Sequence, residues 1–152
     1  MLRSAGRFVY GVNSQDGRLY VSTDAGSSWR RHTPPAPLLD LTAHPADPRR
    51  LVASGEDGLY ASVDAGARWR PRASVEPGLV AWPAVEDLYL LDGSGVLHRS
   101  SDEGATFAEV GPVGGQPAAF AADGDDLYVA LHTNEIRVSS DGGRTWRTRV
   151  AA

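Results

Sequence analysis

Two carboxyl groups about 5–9.5 Å apart are enough to cleave a glycosidic bond, one as acid and one as base or nucleophile. The acidic pairs of this chain, Glu56-Asp57 and Glu86-Asp87, lie in turn-like segments, where acidic residues are ordinary. The run Asp123-Gly124-Asp125-Asp126 lacks the alternating Asp spacing and later Glu that complete an oxygen shell for Ca²⁺, so no metal is expected. The four histidines, at 32, 44, 98 and 132, form no closely spaced ligand pair. Gly111-Pro112-Val113-Gly114-Gly115 lacks the Lys and following helix of a phosphate loop and reads as a connector, so no cofactor is expected. Three residues remain as a candidate ligand face. Asp40 interrupts the apolar run Leu38-Leu39-Asp40-Leu41, where an unpaired carboxylate is costly to bury. It faces either a ligand or a water-filled channel, or caps a turn. His44 and Trp82 occupy equivalent positions near the ends of such runs, and an indole on an open face is a platform for sugar stacking.

The elements that position these residues come from a repeat. LYVSTDAGSSW (19–29), LYASVDAGARW (59–69), LHRSSDEGATF (97–107) and IRVSSDGGRTW (136–146) align without gaps as apolar-x-x-Ser-x-Asp-x-Gly-x-x-aromatic. The repeated residues are Ser22, Asp24, Gly26 and Trp29; Ser62, Asp64, Gly66 and Trp69; Ser100, Asp102, Gly104 and Phe107; Ser139, Asp141, Gly143 and Trp146. The Asp positions fall 40, 38 and 39 residues apart, the period of a four-stranded propeller blade. Each residue type has a mechanical use. The carboxylate accepts N–H groups of its own turn, Gly supplies a positive φ, Ser adds a hydroxyl, and the ring opens the next strand. These residues are therefore expected to build hairpins and to perform no chemistry.

Between the turns the chain reads as short apolar runs bounded by Gly, Pro and Asp, with no helical period. The expected fold is all-β: four propeller blades of four antiparallel strands, over about 1–35, 36–75, 76–112 and 113–152, in one domain covering 1–152. Strands are expected at 38–42, 50–54, 59–63 and 68–72 in the second period, and at 118–122, 127–131, 136–140 and 145–150 in the fourth. The first blade looks incomplete, its inner strand either missing or supplied by residues 1–6. Tyr10, Tyr89 and Tyr128 hold equivalent second-strand positions, which argues for packing. Arg7, Arg50 and Arg137 read as solvated strand ends.

At 152 residues and 41% apolar content the chain can bury a core. A formal charge of −4, with 15 basic and 19 acidic residues dispersed, excludes the footprint of a nucleic-acid binder. All basic residues are Arg, and there is no Cys to form a disulfide or thiolate site. No apolar run of about 20 residues suggests a membrane span, and residues 1–7 do not read as a signal peptide.

Ser139-Ser140-Asp141-Gly142-Gly143-Arg144-Thr145-Trp146 resembles the Asp-box, or bacterial neuraminidase (BNR) repeat, of sialidase-like and sortilin-like propellers. The spacers, such as Val9-Tyr10-Gly11 and Asp16-Gly17-Arg18-Leu19-Tyr20, resemble exported actinobacterial BNR-repeat, glycosyl-hydrolase-like proteins. The resemblance implies a bacterial, exported parent protein, though the localisation of this chain is not legible. It also implies a half propeller or small propeller whose boxes lie at the blade periphery, away from the ligand face. Ser28, Arg68 and Phe107 depart from the box pattern. A sialidase would need three convergent Arg, a Tyr nucleophile and a separate acid, a set that cannot be assigned here. The expected function is therefore a non-catalytic module that recognises a carbohydrate or a protein. The alternative is a fragment or degenerate copy of a sialidase-like glycoside hydrolase. An arc of four blades would leave its ends bare, with Phe8, Tyr10 and Leu19 at one and Trp146 and Val150 at the other. Two copies pairing into an eight-bladed ring would cover them.

Overall fold

In a computed structural model, which describes residues 1–151, sixteen strands form four antiparallel sheets, each a meander in chain order. Blade 1 holds β1 (Leu2–Ala5), β2 (Phe8–Val12), β3 (Leu19–Ser22) and β4 (Arg30–His32). Blade 2 holds β5 (Leu38–His44), β6 (Asp47–Gly55), β7 (Gly58–Ser62) and β8 (Arg70–Pro71). Blade 3 holds β9 (Gly78–Ala84), β10 (Asp87–Asp92), β11 (Val96–Ser100) and β12 (Ala108–Pro112). Blade 4 holds β13 (Pro117–Asp123), β14 (Asp126–Leu131), β15 (Ile136–Ser139) and β16 (Arg147–Val150). Among the described residues no helix occurs, so none is long and apolar enough to cross a membrane. The protein is an all-β, four-bladed propeller. Its first blade is complete, because Leu2–Ala5 pair with β2 and supply the inner strand that was in doubt.

Strand alternation gives every blade a forward face toward the next blade and a rear face toward the one before. Tyr10, Leu19 and Val21 project forward from blade 1 onto Leu41, Leu51 and Ala53 of blade 2. Val52 and Leu59 of blade 2 meet Val80, Trp82, Leu88 and Leu90 of blade 3. Tyr89, Leu91 and Leu97 of blade 3 meet Phe120, Leu127 and Val129 of blade 4. The core thus consists of three blade junctions built to one plan. Register makes Tyr10, Val52, Tyr89 and Tyr128 equivalent, each lying two places before the strand partner of a repeat position. Tyr10 and Tyr89 are buried, whereas Tyr128 is 36% exposed, with no following blade among the described residues to cover it.

The same alternation corrects the expected end surfaces. Tyr10 and Leu19 are fully buried in the first junction, and Phe8 packs against it. Trp146 turns back onto the junction with blade 3, as Trp69 and Phe107 turn back onto the junctions behind their own blades. Trp29 is 45% exposed, with no blade behind it among the described residues. Val150 is exposed, as expected.

Each Ser-x-Asp-x-Gly turn closes in the same way. Ser22 Oγ donates to Asp24 Oδ1 at 2.8 Å, and the same Oγ accepts Gly26 N–H at 2.8 Å. Ser139 Oγ does this with Asp141 and Gly143, also at 2.8 Å. Asp141 then accepts the backbone N–H of Thr145 at 2.9 Å and its hydroxyl at 2.6 Å. The indoles of Trp29, Trp69 and Trp146 donate to the carbonyls of Gly26, Gly66 and Gly143. Gly66 and Gly143 sit at φ of 82° and 87° against Leu19 and Leu97 of the preceding blade, where a Cβ would find no room. The turn therefore fastens its own hairpin and seats it on the blade behind.

Candidate functional site

The turn carboxylates are unsuited to proton transfer. Hydrogen bonds from the Ser28 hydroxyl and backbone N–H hold Asp24 at a pKa of about 2, and Thr145 holds Asp141 at about 2 in the same way. Thr106 lowers Asp102 further. Burial tends to raise Asp64, but hydrogen bonds from Arg68 and Ser62 outweigh it and leave the group below its ordinary value.

Asp40 is 1% exposed and works as a clasp between inner strands. Its carboxylate accepts Arg3 Nη2 at 2.7 Å from blade 1 and the Val80 N–H at 3.0 Å from blade 3. Burial raises its pKa, against the pull of Arg3 and of the two backbone N–H bonds from Val80 and Leu41. His44 and Trp82 pack against each other, ring edge to ring face at 4.7 Å, and they are only 5% and 6% exposed. Neither presents an open ring. His44 Nδ1 accepts the N–H groups of Ala46 and Asp47, which leaves the imidazole proton on Nε2. That Nε2 lies 4.0 Å from Glu103 Oε1 and has no hydrogen-bond partner among the described residues. Trp82 Nε1 donates to the Val85 carbonyl. Segments of all four inner strands, including Arg3, Thr42, Val80 and Phe120, line a common cavity of about 530 Å³.

The larger concavity, about 720 Å³, opens between the outer part of blade 2 and blade 3. Arg50, Arg68, Arg70 and Arg72 line it, facing the carboxylates of Asp64 and Glu103. Arg50 is ion-paired with Glu103, and Arg68 Nε bonds Asp64 Oδ2 at 2.9 Å. Arg72 crosses to blade 3, donating to the carbonyls of Asp102 at 2.9 Å and Glu103 at 3.2 Å. Among the described residues Arg70 has no side-chain hydrogen bond or ion pair and is exposed. Both carboxylates are thus committed to guanidinium groups, and the cleft carries a surplus of positive charge. Sequence reasoning missed this cluster. The signal was the spacing Arg68-x-Arg70-x-Arg72, which gathers three cations at the end of the turn and along the short strand after it.

The remaining candidates do not converge. Arg50 lines the cleft, Arg137 bonds Glu135 and the Val113 carbonyl, and the Arg7 carbonyl caps the turn at Ala25. Tyr10, Tyr89 and Tyr128 point forward from three different blades. The Tyr10 hydroxyl, pushed up by burial, donates to the Pro48 carbonyl at 2.5 Å. Among the described residues no three acidic or imidazole groups gather as a metal site, the 123–126 run included.

No family model matches the chain, and no curated protein matches it. Solved structures do. YCF48 from Cyanidioschyzon merolae superposes with a TM-score of 0.65 at 24% identity, over 74% of this chain and 37% of that one. YCF48 bound to D1 peptide gives 0.67 at 15% identity, over 93% and 49%. The GH74 enzyme of Niastella koreensis gives 0.69 at 19% identity, over 97% and 23%. The chain spans less than half the length of each of these proteins. At such identities the likeness is one of fold, and the fold these neighbours share with the chain is the β-propeller.

Proposed function

We propose that this chain is a non-catalytic propeller module that recognises an acidic stretch of a partner protein in the Arg-lined cleft between blades 2 and 3. The supporting observation is the charge balance of that cleft: four guanidinium groups face two carboxylates, in a chain whose formal charge is −4. A concave surface of one sign on a protein of the other concentrates field on its ligand, and planar guanidinium groups favour carboxylates. One YCF48 neighbour was solved with a peptide, which is a fact about that protein and agrees with a peptide ligand here. The glycan reading is weaker, because Trp82 offers no open ring for a sugar. A hydrolase reading would require carboxyl groups free to exchange protons, and Asp64 and Glu103 are each clamped by Arg. We further read the four Ser-x-Asp-x-Gly turns as Asp boxes with a purely structural role.

Fluorescence anisotropy with a labelled octaglutamate tests the proposal. Octaglutamate should bind and octalysine should not, with affinity falling as salt is raised. Equal binding of both peptides, or of neither, would contradict it. Fluorogenic aryl glycosides should remain uncleaved, and turnover lost on Tyr89→Phe would favour the hydrolase.

A further inference from the structure

The two end faces of the propeller are halves of one junction. At each of the three junctions a forward face carrying the Tyr10, Val52 or Tyr89 position meets a rear face carrying Leu51, Leu88 or Leu127. The turn aromatic Trp69, Phe107 or Trp146 closes that junction from the rear blade. Blade 4 leaves a forward face unfilled: Tyr128 is 36% exposed, Ile136 38% and Val150 50%, on the same side as Ala119 and Ala130. Blade 1 leaves a rear face unfilled: Leu2 is 65% exposed and Trp29 45%, with Gly11 and Tyr20 across from and beside Leu2. These five large apolar side chains are most of the nine that stand exposed among the described residues. For four of the five the exposure comes from position, because Leu41, Trp69, Tyr89 and Leu97 at the matching places of inner blades are packed into junctions.

One polar contact, at the junction of blades 2 and 3, offers a further match. Eight residues after its turn Asp, Arg72 of blade 2 donates to the carbonyls of Asp102 and Glu103 on blade 3. Eight residues after Asp141 comes Arg149, exposed on β16, with no blade after it among the described residues. The matching carbonyls, those of Asp24 and Ala25, belong to blade 1.

We infer that blade 4 of one copy of this chain docks on blade 1 of a second copy, and that two such junctions close an eight-bladed ring. The inner strands of all four blades already line one common cavity, so the arc turns about a single axis. A second copy continuing that curve meets the first copy's other end. Eight blades lie within the range that propellers close. The pairing places Tyr128 where Tyr10 and Tyr89 lie, Trp29 where Trp69 and Trp146 lie, and Arg149 where Arg72 lies.

Sedimentation velocity of the 152-residue chain at micromolar concentration should give one species of twice the 16.2 kDa chain mass. Leu2→Asp and Ile136→Asp alter exposed side chains on opposite end faces, and each variant alone should sediment as a single chain. Mixing the two variants should restore a dimer, since one of its two junctions then joins unaltered faces. Val85→Asp, exposed but away from both end faces, should leave the dimer intact. A wild-type species at the chain mass would overturn the inference and assign the end faces to other blades or another protein. Assemblies larger than two chains would overturn two-fold closure. A dimer that survives both end-face substitutions, or variants that fail to complement on mixing, would overturn the head-to-tail pairing.

Discussion

At the residue scale, Ser139 is the hinge of the fourth turn. It is 1% exposed, and its hydroxyl both donates to Asp141 and accepts the buried N–H of Gly143. Ser139→Ala leaves that N–H without a partner and should cost about 1–3 kcal/mol, read as a lower midpoint in denaturant titration. An unchanged midpoint would mean the hydroxyl carries no structural weight. Acid should expose the same network. Asp24 and Asp141 titrate at about 2 in the fold against 3.8 for an ordinary carboxyl. Groups lowered in this way contribute stability that is complete above the unfolded value and is lost as pH falls through the folded one. Asp40 has the opposite sign: burial raises its pKa, so the fold binds its proton more tightly and that contribution grows on acidification. With more groups lowered than raised, Tm should fall between the two values, from about pH 4 to about pH 2, and Asp141→Asn should flatten that limb. A Tm that is constant to pH 2 would contradict the assignment.

At the scale of the element, spacing made most of the fold legible. Aligned Ser-x-Asp-x-Gly turns located the third strand of every blade, and apolar runs located the two strands before it in blades 2 to 4, whereas the inner strand of blade 1, Leu2–Ala5, was not legible as one. The outer strands were less legible. A strand expected over 68–72 pairs only at Arg70–Pro71, because Pro71 has no N–H for the ladder and the preceding residues belong to the turn. The positive φ of Ala25, Ala65 and Glu103, near 60°, was also not legible, since only the fourth turn has Gly at that place, as Gly142. Glycine substitutions separate strain from mere position. Gly58 joins β6 to β7 at φ of 127°, and a Cβ there would lie 2.7 Å from the Ala73 carbonyl oxygen. Gly93 has open space around it and no positive φ. Gly58→Ala should lower Tm by several degrees, as strain on the order of 1–3 kcal/mol does, while Gly93→Ala leaves it nearly unchanged. Equal effects would mean that the β6–β7 turn relaxes freely.

For the whole molecule, the sequence pointed to Asp40, His44 and Trp82, and all three lie in the interior where inner strands meet. An alignment of blades reveals which positions match across repeats. It does not reveal which side of a strand is covered by the neighbouring blade, and that decided their burial. The Arg cleft escaped for the complementary reason: Arg50 comes from β6 and Arg70 from β8, and only the sheet brings them to one groove. The central claim is a division of labour, in which the Ser-x-Asp-x-Gly turns hold the blades and the cleft between blades 2 and 3 holds the ligand. Octaglutamate affinity, measured side by side in Arg70→Glu and Asp141→Ala, tests it most directly. Arg70→Glu should weaken binding about tenfold, roughly 1.4 kcal/mol, with Tm unchanged, and Asp141→Ala should lower Tm with affinity unchanged. Lost affinity in Asp141→Ala at wild-type stability, or full affinity in Arg70→Glu, would contradict the division.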